Sequence, residues 1–182
     1  MDLLSGIESR SSAAKLGEPG PTREHLEQIL RAGVRAPDHG RLRPWRFIVI
    51  EGSARQKLGD AMADVLRAKL PESNEAQLAS ERSKALRAPT VVVVAARITK
   101  GKIPEIEQVL AAGAAAQNML LAAHALGYGA MWKTGGVAYD AKAKAVLGLA
   151  PEDHIVALLY LGTTVAPGVS STASTDGLVS WL

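Results

Sequence analysis

Three short stretches of this chain hold residues whose types and spacing could do chemistry. Ser9-Arg10-Ser11-Ser12 sets a guanidinium beside hydroxyls, the combination that grips a phosphate through charge-assisted hydrogen bonds. In Arg35-Ala36-Pro37-Asp38-His39-Gly40-Arg41-Leu42-Arg43-Pro44-Trp45, a helix runs into a polar, proline-punctuated loop and then straight into an apolar strand. Side chains such as Arg35, His39 and Arg41 can be aimed at a ligand from rigid supports of that kind, and the His39 imidazole could donate to a ring edge or a substrate. Further on, Trp132-Lys133-Thr134 closes a predicted strand, where a large aromatic can cover a planar ring while backbone N–H groups point at its edge. Each stretch also has a plainer reading: an arginine among serines caps a helix, Arg35 pairs with a carboxylate, His39 satisfies its own loop, and Trp132 is core.

Composition narrows the chemistry. The chain has 182 residues, 47% of them hydrophobic, enough for one good core and too few for two, so a single domain over residues 1–182 is expected. Net charge is +3, with Lys and Arg spread along the chain, which suits a small anion better than nucleic acid. With no cysteine, disulfides, thiolate metal sites and cysteine nucleophiles are excluded. The four histidines, His25, His39, His124 and His154, show no metal-ligand spacing, and no Gly-x-Ser-x-Gly elbow occurs. No metal and no covalent catalyst are expected. The stretch Met1–Glu8 carries acidic residues where an export signal carries basic ones, so a cytoplasmic location is expected. Gln108 to Trp132 lacks charge over about the length of a bilayer span, but Gln117, Asn118 and His124 interrupt it. A helix buried in a core or dimer is the better reading, without membrane contact.

The elements that must position these residues follow from periodicity. Residues 2–9 read as a short helix, and Thr22 caps a second reaching Val34 with Leu26, Ile29, Leu30 and Val34 on one face. Trp45–Glu51 is a strand, Ser53 the N-cap of a helix to Leu70, and 74–86 a polar helical stretch. Thr90–Ile98, rich in valine without alternation, predicts a strand buried on both faces. Pro104 suits a helix N1 position, and the helix from there closes at Gly127. Ala130–Lys133 is a strand, Asp140–Leu147 a helix and Ile155–Gly162 a last strand, with an irregular tail from Thr164. No G-x-G-x-x-G follows any strand and no P-loop occurs, so a nicotinamide donor would be a transient visitor.

Taken together, the three stretches resemble the nitroreductase family of flavin enzymes in its short, single-domain branch, over almost the whole chain. The resemblance implies an α+β fold, a central mixed but mainly antiparallel sheet flanked by helices, assembled as a homodimer with two FMN molecules at its interface. It implies that Arg10 and Ser12 grip tightly bound FMN, with Ser11 at a variable middle position. Arg35 and His39 reach the flavin held mainly by the other subunit, and Trp132, Lys133 and Thr134 line its ring. The implied activity is hydride transfer from NAD(P)H to an oxidised small-molecule acceptor such as a nitroaromatic or quinone. Relatives of this fold also oxidise heterocycles or remove halogen reductively, and a non-catalytic flavin carrier or sensor remains an alternative. The chain departs from larger relatives in having Ala14, with Lys15 beside it, where they carry a Lys near the flavin's pyrimidine end. It also has no Lys or Arg from Val165 to Leu182, where they place a basic pair on the phosphate.

Overall fold

A computed structural model describes residues 2–169 and 174–182. Its centre is the valine run. Strand β3 (Thr90–Ala96) is buried along its whole length between β2 (Trp45–Glu51) and β5 (His154–Ala166). Because successive side chains point to opposite faces, Val91 and Val93 join Leu58, Met62, Val65 and Tyr160 in one apolar layer. Val92 and Val94 join Leu26, Ile29, Met119 and Leu159 in the other. The first layer is covered by α3 (Ala54–Lys69), α4 (Glu75–Ser83) and α6 (Ala141–Val146), the second by α2 (Arg23–Gly33) and α5 (Glu105–Ala125). Strand β4 (Gly129–Lys133) pairs with β5, and the order β1-β5-β3-β2 is completed by β1 (Lys15–Gly17). A short α1 (Leu3–Ser9) precedes it.

Several expectations are corrected. All the pairings among the described residues are antiparallel, so the sheet is not mixed. The last strand does not stop at Gly162 but continues to Ala166, because Gly17, Leu16 and Lys15 supply hydrogen-bonding partners for Thr163, Thr164 and Ala166. The irregular tail therefore begins after Ala166, and residues 170–173 of it lie outside the described ones. Pro104, with ψ 145°, is the residue outside the α5 helix and not its first member. Ser53 stands before α3, but its side chain makes no capping bond. The polar stretch 74–86 divides into α4 and a 3-10 turn over Lys84–Leu86.

Capping chemistry sets α4 in place. Asn74 accepts from the Gln77 N–H at 3.0 Å, and the Gln77 side chain accepts from the Asn74 N–H at 2.9 Å. Asn74→Ala is expected to lower stability by about 1 kcal/mol, read as a reduced urea midpoint at an unchanged slope. At the start of α5, the buried Gln108 accepts from the Thr99 N–H and donates to the Thr99 and Ile103 carbonyls, so the 97–104 connection is tied to the helix it leads into. No described helix is long and apolar enough to cross a membrane.

Candidate functional site

The loop between α2 and β2 is anchored at both ends. Ala36 and Trp45 are buried against Ala111 and Ala115 of α5. Between them the backbone takes three left-handed turns, at Gly40 (φ 71°), Arg41 (φ 55°) and Arg43 (φ 50°). For the two arginines such a conformation costs roughly 1–2 kcal/mol each. The Asp38 carboxylate offsets part of it by accepting from the Arg43 N–H at 2.6 Å. The result is a stiff loop that holds Arg35, His39, Arg41 and Arg43 outward, all exposed. His39 is the one with a fixed direction, because its Nδ1 lies against the Glu107 carboxylate in the first turn of α5. Glu107 was not singled out by sequence; only its place just after Pro104 marks it as a helix-start carboxylate.

At the other end of α5 a second cluster forms. Arg10 and Ser11 line a cavity of about 180 Å³ with His124, Tyr128, Thr164 and the start of β4. Ser12 is exposed and does not line it; its carbonyl oxygen lies against the Cα of Gly168. The segment carrying these residues is stitched to the sheet by hydrogen bonds from the Ala13 N–H to Ala130 and from the Ala14 N–H to Ala166. Close approach depends on Gly129, where a Cβ would stand 2.3 Å from the Thr164 hydroxyl.

The far end of β4 builds a third cluster. Strand alternation sends Met131 and Lys133 to the α3 side and Ala130 and Trp132 to the α5 side, so Trp132 and Lys133 do not share a wall. Trp132 is 36% exposed, and its indole N–H donates to the Val156 carbonyl at 3.2 Å, which fixes the ring on the sheet edge. Lys133 and Thr134 line a cavity of about 320 Å³ together with Glu81, Lys84, Arg87 and Tyr160. Lys15, Arg87 and Lys133 line an adjoining one beside Ala14. Glu81 is ion-paired with Lys84, whereas Arg87 and Lys133 have no ion pair among the described residues. Burial pushes the Tyr160 phenol up to about 12 against the pull of the Arg87 charge, so it stays protonated and able to donate. Sequence reading missed Lys84 and Arg87, which look like ordinary charges on a polar helix; their spacing of three residues just before the valine strand is the signal that points them at one place.

The two cavities at β4 lie at opposite ends of one strand, about 13 Å apart at the usual rise. They open on opposite faces of the sheet, the Arg10 cavity against Leu120 and His124 of α5 and the Lys133 cavity against Met62 and Tyr160, so a ligand held at Arg10 reaches Lys133 only around the edge of β4 that pairs with no other strand among the described residues. His39 is different. From Glu107 to His124 is 17 residues of helix, roughly 26 Å. Within one chain, the loop cluster and the Arg10 cluster do not meet.

Known proteins agree with this architecture. The chain matches the profile of the Nitroreductase family over residues 7–163. It is 38% identical over 164 residues to YdjA of Escherichia coli strain K12, a protein named as an NAD(P)H nitroreductase, covering 90% of this chain and 88% of that one. Among solved structures, a nitroreductase-like family protein from Bacillus cereus superposes with a TM-score of 0.84 at 26% identity, covering 100% of this chain and 96% of the other. A nitroreductase from Desulfovibrio desulfuricans in complex with FMN gives 0.74 at 29% identity, covering 97% and 94%. With the family profile spanning most of its length and a relative of this identity along nearly all of it, the chain belongs to the nitroreductase family.

Proposed function

We propose that this chain is a single FMN-binding domain over residues 1–182, a cytoplasmic homodimeric oxidoreductase that takes electrons from NAD(P)H and gives them to an oxidised small organic acceptor. The observation that carries the reading is the cation-lined cavity at Arg10, with a second one on the other face of the sheet at the far end of β4. The cavity at Arg10 has a guanidinium, an imidazole and hydroxyls on its walls and, among the described residues, no carboxylate, the donor set an anionic phosphate requires. The cavity at Lys133 has two cations without ion pairs among the described residues, a protonated phenol and a glycine-rich rim at Gly135 and Gly136, a setting that favours negative charge on a bound ring. FMN fits this set, and the structure of the Desulfovibrio relative in complex with FMN supports it. When bound, FMN would supply the two-electron relay between donor and acceptor.

The chain's own groups then have assignable work. Arg10 and Ser11 bind the phosphate end, and Ser12, which stands outside that cavity, takes no part in the grip. Lys133 and Thr134 meet the ring, with Arg87 and Lys15 filling the role of the lysine that larger relatives carry at the position of Ala14. Trp132 closes the sheet edge on the other side and excludes water there. Arg35 and His39 complete the partner's site, and Glu107 holds the His39 ring for that purpose. A twofold axis that sets two copies of α5 antiparallel would bring the loop end of one against the Arg10 end of the other. The surface supports such pairing: Leu3, Leu4 and Ile7 of α1 and Ile106 and Leu110 of α5 are exposed, and α1 buries none of its residues within the chain.

The test is optical. Purified protein should show a bound-flavin spectrum, and anaerobic NADH or NADPH should bleach it. A colourless protein that takes up no FMN overturns the reading, and bound flavin that neither nicotinamide bleaches moves the protein to the carrier class. Because no second nucleotide motif is present, donor and acceptor are expected to use one site in turn. Double-reciprocal plots with NAD(P)H varied at several acceptor concentrations should give parallel lines; intersecting lines would require both bound together.

A further inference from the structure

We propose that His124 is a phosphate ligand beside Arg10, a cofactor-specificity residue that takes the place of the basic pair missing from the C-terminal tail. This inference rests on the FMN reading above. The sequence treats His124 only as a polar interruption in an apolar helix. The structure puts it in the last turn of α5 on the wall of the Arg10 cavity, with its Nε2 hydrogen-bonded to the Ser9 hydroxyl at 2.9 Å. That bond fixes the ring against the residue that precedes Arg10, so the imidazole and the guanidinium are positioned by the same short segment. Because the Ser9 hydroxyl donates to the Ser5 carbonyl at 2.6 Å, Nε2–H is the donor in the bond to Ser9; Nδ1 has no hydrogen-bond partner among the described residues, and it donates to a ligand in the imidazolium form, which a bound phosphate anion favours.

The other polar groups of the cavity leave this role open. The Tyr128 hydroxyl is engaged by His25 Nδ1 at 2.8 Å and lies 3.4 Å from the Thr22 N–H. Arg10 has no ion pair among the described residues, and no Asp or Glu lines the cavity to compete for it. A phosphate held by one arginine and hydroxyls alone would be under-coordinated, since its oxygens accept several hydrogen bonds each. The residues from Val165 to Leu182 bring no Lys or Arg to help. Among the described residues His124 is the one further nitrogen side chain on the cavity wall.

The readout is discrimination between FMN and riboflavin, which differ only in the phosphate. Apoprotein of the parent, His124→Gln and His124→Ala is titrated with each ligand, following the quenching of flavin fluorescence. Both variants should bind FMN about tenfold more weakly while riboflavin binding changes by less than about twofold, as expected for loss of one charge-assisted hydrogen bond. An unchanged FMN affinity overturns the proposal. So does a parallel loss for both ligands, which would mark His124 as a packing residue. If Arg10→Ala abolishes the discrimination while both His124 variants keep it, this inference alone falls. If the parent binds neither flavin, the FMN reading falls first and takes this one with it.

Discussion

Removal of the Arg10 guanidinium is expected to weaken FMN binding by roughly 10- to 150-fold, the equivalent of about 1.5–3 kcal/mol for a hydrogen bond to a charged group. Riboflavin, which lacks the phosphate, should bind the Arg10→Ala variant as it binds the parent. The size of the effect follows from the cavity. Among the described residues Arg10 is the one Lys or Arg side chain on its wall, and no carboxylate there draws it away from a ligand. The side chain also contributes little to the fold, since α1, which it terminates, buries none of its own residues in the chain. A stability loss therefore should not masquerade as a binding loss, and the urea midpoint of the variant should match the parent. Equal FMN affinity in parent and variant, or a parent that treats FMN and riboflavin alike, would remove the phosphate from this cavity.

How much of this was legible in the sequence depended on whether a residue's partner lay nearby along the chain. The valine run announced β3 because a strand covered on both faces needs no polar alternation, and Val91 to Val94 do divide between the two apolar layers. Helix α2 was equally plain, with Thr22 capping it through the His25 N–H and Leu26 and Ile29 buried. Strand β1 was not legible. Lys15-Leu16-Gly17 has no periodicity of its own and exists as a strand only because the end of β5 pairs with it, and the same pairing lengthened β5 beyond Gly162. Propensity has nothing to say about a three-residue strand whose partner is about 150 residues away.

The site shows the same division. Residue types near Arg10, His39 and Lys133 raised those positions as candidates, but sequence could not tell which of them face each other. The pleat separates Trp132 from Lys133 though they are adjacent, while Lys84 and Arg87 reach Lys133 from a helix end on the other side of β3 in the chain. Likewise, His124 and Glu107 sit on one helix, yet one belongs with Arg10 and the other with His39. A helix of 21 residues separates the two groupings by its own length. That separation shapes the strongest test of the assembly.

Mixing Arg10→Ala and Arg35→Ala chains should restore the tight FMN binding that neither variant has alone. In an Arg10→Ala homodimer both sites lack the phosphate grip, and in an Arg35→Ala homodimer both lack the group offered by the loop. A heterodimer behaves differently if each site takes Arg10 from one subunit and Arg35 from the other. One of its sites then carries both lesions and the second carries none, so up to one FMN per heterodimer should bind with parental affinity. With random subunit exchange about half of the dimers are mixed, which puts about a quarter of all sites back at full strength. The gain over the separate homodimers is then the full 10- to 150-fold in affinity for that quarter, visible as a distinct tight phase in an FMN titration. The physical basis is the distance of roughly 26 Å along α5 between Glu107, which holds His39, and His124 beside Arg10. Two clusters that far apart in one chain can serve one flavin only across an antiparallel pair. If exchange is confirmed by mass-tagged subunits and no tight phase appears, Arg10 and Arg35 do not share a site across the interface.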